Sequence, residues 1–227
     1  MGKEFETQHE AVVDATPEQV WAAIATGPGI SSWFVGRTQI DDGVVSTNFG
    51  DGWIPAGAVT VREEPRRFAY GSEPAPDGRF VASEYLIEGR DRSATVLRAV
   101  TSGFLPGDDW AGEFEAMQLG NAMFFATLVE YLRHFPAQVA TPVTAFGPPV
   151  TDWPAAWAAL HANLGLGASP RAGDPVPGGG EVFFVNEHTL GLRTPTGLYR
   201  YLRGFHGAMV VIHELFGGDA EFPTEIG

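Results

Sequence analysis

Near the start of this chain the hydrophobic period changes abruptly from two to about 3.6, and that switch limits the folds open to it. Phe5, Thr7, His9, Ala11 and Val13 alternate with Glu4, Glu6, Gln8 and Glu10, which reads as a strand with one buried and one acidic face. Thr16-Pro17-Glu18-Gln19 follows and reads as a helix start. Thr16 can cap, Pro17 needs no N–H partner in the first turn, and Gln19 completes a capping box. Val20, Trp21 and Ile24 form the buried stripe, Gly27-Pro28-Gly29 ends the helix, and a second short helix is expected over Ile30–Val35.

Five strand-like stretches come next: Gly36–Phe49, Gly57–Glu64, Arg67–Ser72, Arg79–Glu88 and Ser93–Ser102. Gly50-Asp51-Gly52, Glu64-Pro65, Pro74–Gly78 and Gly89–Arg92 separate them as turns. From Asp108 the period lengthens again. Trp110, Phe114, Met117, Asn121, Phe124, Leu128, Tyr131, Leu132 and Phe135 recur at helical steps, with Asp108 or Asp109 as cap and Pro136 as stop. A helix of about 25 residues can cross a whole sheet. The expected fold is α+β: a curved antiparallel sheet wrapped around one long helix.

Beyond Pro136 the pattern is weaker. Asp152–Gly165 reads as a helix, with Trp153, Trp157, Leu160 and Leu164 on one stripe and Gly165 at its end. Residues Gly165–Gly180 hold six glycines and three prolines and read as a linker. Glu181–Gly217 reads as a β-meander with turns near Thr194–Gly197 and Gly204–Gly207. The expected organisation is a domain at 1–138, a helix plus Gly/Pro-rich linker at 139–180, and an appended meander at 181–227. A meander of that size cannot stand alone. It must dock on the first domain or on another subunit, which leaves a homodimer open.

Composition removes whole classes of function. The chain has 28 acidic and 14 basic residues, a net charge of −14, so it lacks the cationic face that nucleic acid or an anionic membrane requires. Cysteine is absent, which excludes disulfides, thiolate nucleophiles and cysteine metal sites. No apolar run reaches membrane-spanning length, and the polar start MGKEFETQHE does not resemble a secretory signal. The expectation is a cytoplasmic, bacterial protein. His206 and His213 fall on opposite faces of any continuous strand, and Glu187-His188 and His213-Glu214 diverge likewise, so no metal site is expected. No cofactor motif appears either. Gly178-Gly179-Gly180 precedes a strand rather than a helix.

The ordered set Val20-Trp21, Trp33-Phe34, Gly57-Ala58-Val59, Pro65-Arg66-Arg67-Phe68-Ala69-Tyr70, Thr95-Val96-Leu97, Ser102-Gly103-Phe104, Gly120, Phe125, Leu128 and Leu132 resembles the SRPBCC, or START-like helix-grip, superfamily. Within it, the set is most similar to the branch of activator of heat-shock ATPase homologues. The resemblance covers about Glu10–Phe135 and implies a cavity between the concave sheet and the long helix. Members commonly carry Gly-Trp in that helix, whereas this chain has Gly120-Asn121. Exchanging a side chain that buries roughly 200 Å² for a small amide would enlarge the cavity and supply a polar anchor.

The residues expected to line a ligand site are therefore Trp33, Phe34, Trp53, Tyr70, Tyr85, Arg98, Trp110, Phe114, Met117, Asn121 and Phe124. Glu84 and Arg98 would form a polar end if both turned inward, or an outward cross-strand pair if they did not. The expected partner is a small hydrophobic molecule, held without an evident catalytic constellation. Two alternatives stand beside it. One is a cyclase-, dehydratase- or hydrolase-like enzyme using Asn121, Glu84, Arg98 and His9. The other is a chaperone-partner or regulatory protein acting through the C-terminal extension.

Overall fold

The computed structural model describes residues 2–50, 52–91, 94–107, 110–204, 207–217 and 222–223, with backbone alone at 53, 90, 91, 110, 111 and 113. The chain divides into two compact units, Met1–Val139 and Ala140–Gly227, each with its own antiparallel sheet.

In the first unit β1 (Lys3–Val13) leads into α1 (Pro17–Ala25) and α2 (Gly27–Ile30). Then come β2 (Thr38–Asp41), β3 (Val44–Phe49), β4 (Gly52–Glu63), β5 (Arg67–Ser72), β6 (Phe80–Asp91), β7 (Ala94–Leu105) and α3 (Trp110–His134). The strand order is β1-β7-β6-β5-β4-β3-β2, so the first strand closes against the last and the chain then turns into α3. This is the α+β helix-grip arrangement.

Local chemistry explains the elements. Thr16 Oγ1 accepts from Gln19 N at 3.3 Å while Gln19 Oε1 accepts from Thr16 N at 2.8 Å, so the capping box at α1 is complete. The buried face of α1 carries Val20, Trp21 and Ile24, and the Trp21 ring meets Phe68 edge-on at 5.9 Å. The alternation in β1 places Thr7 and Val13 in the core and the glutamates outside. Gly103 on β7 is required by close approach: a Cβ there would lie 2.2 Å from the Phe80 carbonyl oxygen.

Two local expectations are corrected. The second helix spans Gly27–Ile30 rather than Ile30–Val35, because Thr26 Oγ1 accepts from Gly29 N at 3.0 Å and starts it early. Gly36–Phe49 is a hairpin, β2–β3, and not one strand. Asp42 and Gly43 have φ of 50° and 77°, the left-handed pair that a two-residue hairpin turn needs. The cap expected at Asp108 or Asp109 lies outside the described residues.

The second unit holds β8 (Thr141–Pro149), α4 (Trp153–Asn163), β9 (Pro175–Val176), β10 (Gly180–Asn186), β11 (Thr189–Arg193), β12 (Gly197–Arg203) and β13 (Ala208–Leu215). Its strand order is β8-β13-β12-β11-β10-β9. The expected linker thus contributes both edge strands of the meander's sheet. The prolines of β8 hid it in the sequence, and an edge position is where a strand tolerates them. Asp152 caps α4 by accepting from Ala155 N at 2.9 Å. Leu160 of the helix and Leu164 at its C-cap pack with Val182, Leu190, Leu192, Tyr199, Tyr201 and Val211.

Arg200, His213 and Glu214 of this sheet are buried. Arg200 Nη2 donates to Glu214 Oε1, and both residues are fully buried. Burial nevertheless pushes the Glu214 carboxyl above its ordinary range, against the pull of Arg200. His213 packs edge-on against Tyr199 and Tyr201, and its Nε2 lies 3.1 Å from the Pro223 carbonyl oxygen. Burial lowers its pKa to about 4, with Arg200 contributing in the same direction. A histidine kept neutral by the fold stabilises it above pH ~6.5, and that contribution is lost as pH falls through its folded pKa. Replacing His213→Phe removes this loss, whereas the opposite response of Glu214 persists in both proteins. Relative to the parent, the variant should gain about 3 kcal/mol of unfolding free energy between pH 7 and pH 4, measured by urea denaturation.

Candidate functional site

The site is built from rows of side chains on the inner face of the first unit's sheet. Strand pairing aligns Thr7, Thr101, Ser83 and Tyr70 across β1, β7, β6 and β5, so four hydroxyl-bearing residues form one row. The neighbouring row is His9, Ala99, Tyr85 and Phe68. Opposite them, α3 presents Asn121, Phe124, Phe125 and Leu128. Between sheet and helix lies a cavity of about 400 Å³. Ala99 sits between His9 and Tyr85, and its small side chain is what leaves the space between those rings.

Burial separates the floor from the mouth. Val45, Thr47, Tyr85, Trp33 and Leu128 line the cavity and are buried, whereas Pro55, Glu73 and Ala75 line it and are exposed. The Trp33 indole N–H donates to the Ala23 carbonyl at 3.0 Å, so the ring is held and turns only apolar surface inward. Trp33 meets Tyr85 edge-on at 6.2 Å, and Phe34 packs against Phe124 at 4.7 Å. This aromatic wall stands against the hydroxyl row.

The polar groups have distinct states. The Tyr70 and Tyr85 hydroxyls hydrogen-bond to each other, and Tyr70 also bonds Ser83. Burial raises both phenol pKa values, Tyr85 well above the usual range, so both keep their protons at neutral pH. Thr38 and Thr47 share a 2.8 Å hydroxyl contact. Asn121 Nδ2 donates to Thr7 Oγ1 at 3.4 Å, the long limit for such a bond. His9 stacks on Phe125 with ring centroids 5.5 Å apart. Its Nε2 is buried with no hydrogen-bond partner among the described residues, and burial lowers its pKa. Among the described residues, the charged side chains of the lining are Glu73 and Arg79, both towards the mouth. Among the described residues, no group of three or more His, Cys, Asp or Glu side chains could hold a metal ion.

The structure brings together Trp33, Phe34, Tyr70, Tyr85, Asn121 and Phe124 from the expected set. Arg98 is corrected: it points away from the cavity and binds Glu10, Nη2 to Oε2, at 2.7 Å. Glu84 also faces outward, paired with Arg67. Strand parity is the reason, because Tyr85 and Ala99 occupy the inward positions and their neighbours must point out. Phe114 packs on Phe5 at 5.7 Å, and neither it nor Met117 lines the cavity. The side chains of Trp53 and Trp110 lie outside the described residues. Sequence reasoning missed Ser72, Ser83 and Thr101. The same parity that puts Tyr85 and Ala99 inward would have found the latter two.

No family model and no curated protein matches this chain. Solved structures do match. The Aha1 dimer from Colwellia psychrerythraea is 18% identical with a TM-score of 0.45, over 57% of this chain and 96% of that one. The di-domain ARO/CYC BexL from the BE-7585A biosynthetic pathway is 14% identical with a TM-score of 0.49, over 94% and 85%. DynU16, from the dynemicin biosynthetic locus, is 18% identical with a TM-score of 0.45, over 95% and 89%. At these identities the likeness is one of fold, and the helix-grip architecture stands on the strand order and helix described above.

The position of Asn121 gives a direct test of the space. Asn121→Trp puts a large ring beside Phe124 and Phe125, where it fills part of the cavity and cannot make the Thr7 bond. The variant should fold and bind the neutral fluorescent probe N-phenylnaphthylamine at least about ten-fold more weakly than the parent, as read by fluorescence titration.

Proposed function

We propose that the first unit binds an apolar or amphipathic small molecule in the cavity between sheet and α3. The observation that carries this is the cavity's two-sided lining: aromatic rings towards the helix, a row of hydroxyls on the sheet. Its volume of about 400 Å³ suits a small organic ligand. An apolar body would replace water along Trp33, Phe34, Phe124 and Leu128, while polar atoms on one edge would meet Thr101 and the β1 side of the cavity. The ordered residues from Val20-Trp21 to Leu132 support placing the protein near activator of heat-shock ATPase homologues, and its acidic surface suits a cytoplasmic setting. No described helix is long and apolar enough to cross a membrane.

One observation favours an enzymatic second reading. His9 and Asn121 face the same cavity, and a neutral imidazole is a competent proton acceptor. The outward pairs of Glu84 and Arg98 remove half of the polar set that reading would use. A cavity with space left between sheet and helix also weighs against a purely interaction-based role for this unit.

Native mass spectrometry of gently purified protein tests the binding reading. A co-purified small molecule, or a thermal shift of several degrees from members of a lipid and polyketide library, is the expected result. Failure of both would remove it.

A further inference from the structure

We infer that His9 is the residue that selects the ligand, and that it selects a neutral hydroxyl group on an aromatic or polycyclic body. This inference rests on the binding reading above and adds to it the residue and functional group that decide specificity.

His9 lines the cavity from β1, and its ring is fixed by stacking on Phe125. Nε2 is buried with no partner among the described residues. A buried polar atom left unpaired is costly, so a ligand that supplies the missing bond gains against one that does not. Nearby, Tyr70 is engaged with Tyr85 and Ser83, and Asn121 makes only its long 3.4 Å bond to Thr7.

The chemistry of the partner follows from the surroundings. Nε2 is an acceptor in one neutral tautomer and a donor in the other. A hydroxyl can donate or accept and so satisfies either. A carboxylate could accept from one tautomer only, and it would need a cation beside it to offset its lost hydration. Burial disfavours the imidazolium form, and the one cationic side chain that lines the cavity among the described residues, Arg79, lies towards the mouth with Glu73. A carboxylate placed at His9 would lose its hydration without gaining a counter-charge. The flat face of Phe125 beside His9, with Phe124 and Phe34 further along, favours an aromatic body to carry the hydroxyl.

The test uses naphthalene, naphthol and naphthoate, substituted at the same ring position, titrated into the full chain at pH 7 by calorimetry. Naphthol should bind about ten-fold more tightly than naphthalene, and naphthoate no more tightly than naphthalene. His9→Phe keeps the stacking on Phe125 and should bind naphthol and naphthalene equally. In parent protein with nitrogen-15-labelled histidine, naphthol should move the His9 Nε2 resonance and naphthalene should not. That readout decides the matter even if the variant fails to fold. Equal binding of naphthol and naphthalene by the parent, a naphthol preference that survives His9→Phe, or an unmoved Nε2 resonance each overturns the role of His9 while the cavity reading stands. Absence of binding by all three compounds overturns both.

Discussion

Everything in the first unit depends on how α3 is held against the sheet, and it is held mainly by its C-terminal half. Met123, Thr127, Leu128, Val129, Tyr131, Leu132 and Phe135 are buried, and the Tyr131 hydroxyl donates to the Gln138 carbonyl at 2.8 Å. Each large aliphatic side chain in such a position stabilises a fold by about 2–5 kcal/mol relative to alanine. Before Met123 no described side chain of the helix is buried to that degree. Between this buried half and the Phe114–Phe5 contact nearer the other end, Asn121, Phe124, Phe125 and Leu128 face the sheet across the cavity.

The sheet contributes the matching restraint. On its inner face the positions beneath α3 are small or polar: Ala99, Thr101 and Ser83, with Gly57 further across. Large residues at those places would have met the helix and closed the gap, as Phe68 and Leu97 do beneath α1, where both are fully buried. On the outer face the same strands carry charge, and the pairs Arg98–Glu10 and Arg67–Glu84 sit there at little energetic cost in either direction. The acidic outer face of β1 also protects an exposed sheet edge from pairing with other chains.

Much of this was legible from side-chain period. The alternation of β1, the capping box at Thr16 and the long stripe of α3 each come from residues whose local preference agrees with their tertiary role. What was not legible came from elsewhere. The β2–β3 hairpin depends on a two-residue turn at Asp42-Gly43 inside a stretch that otherwise reads as strand. β8 depends on long-range pairing with β13, β9 is a two-residue strand paired with the adjacent β10, and local preference is weak in both because they contain proline. At the site, Arg98 drew attention by charge, although Leu97 and Ala99 on either side of it could not share its face. Parity outranks residue type in deciding which side chain reaches a cavity.

The distribution of polarity within the cavity gives it a direction. A tryptophan at position 121 would have made the helix side wholly apolar in front of the hydroxyl row. Asn121 instead brings an amide close enough to reach Thr7, though only at 3.4 Å, so it retains capacity for another partner. Beside it His9 presents a second polar atom from the first strand, and Tyr70, Tyr85 and Ser83 form a bonded group on β5 and β6. The groups with bonding capacity to spare therefore gather at the β1 side, while those already satisfied lie towards the centre of the sheet. A ligand with one polar end and one apolar end has a single orientation that leaves no buried polar group unpaired, and this asymmetry requires no movement of the backbone.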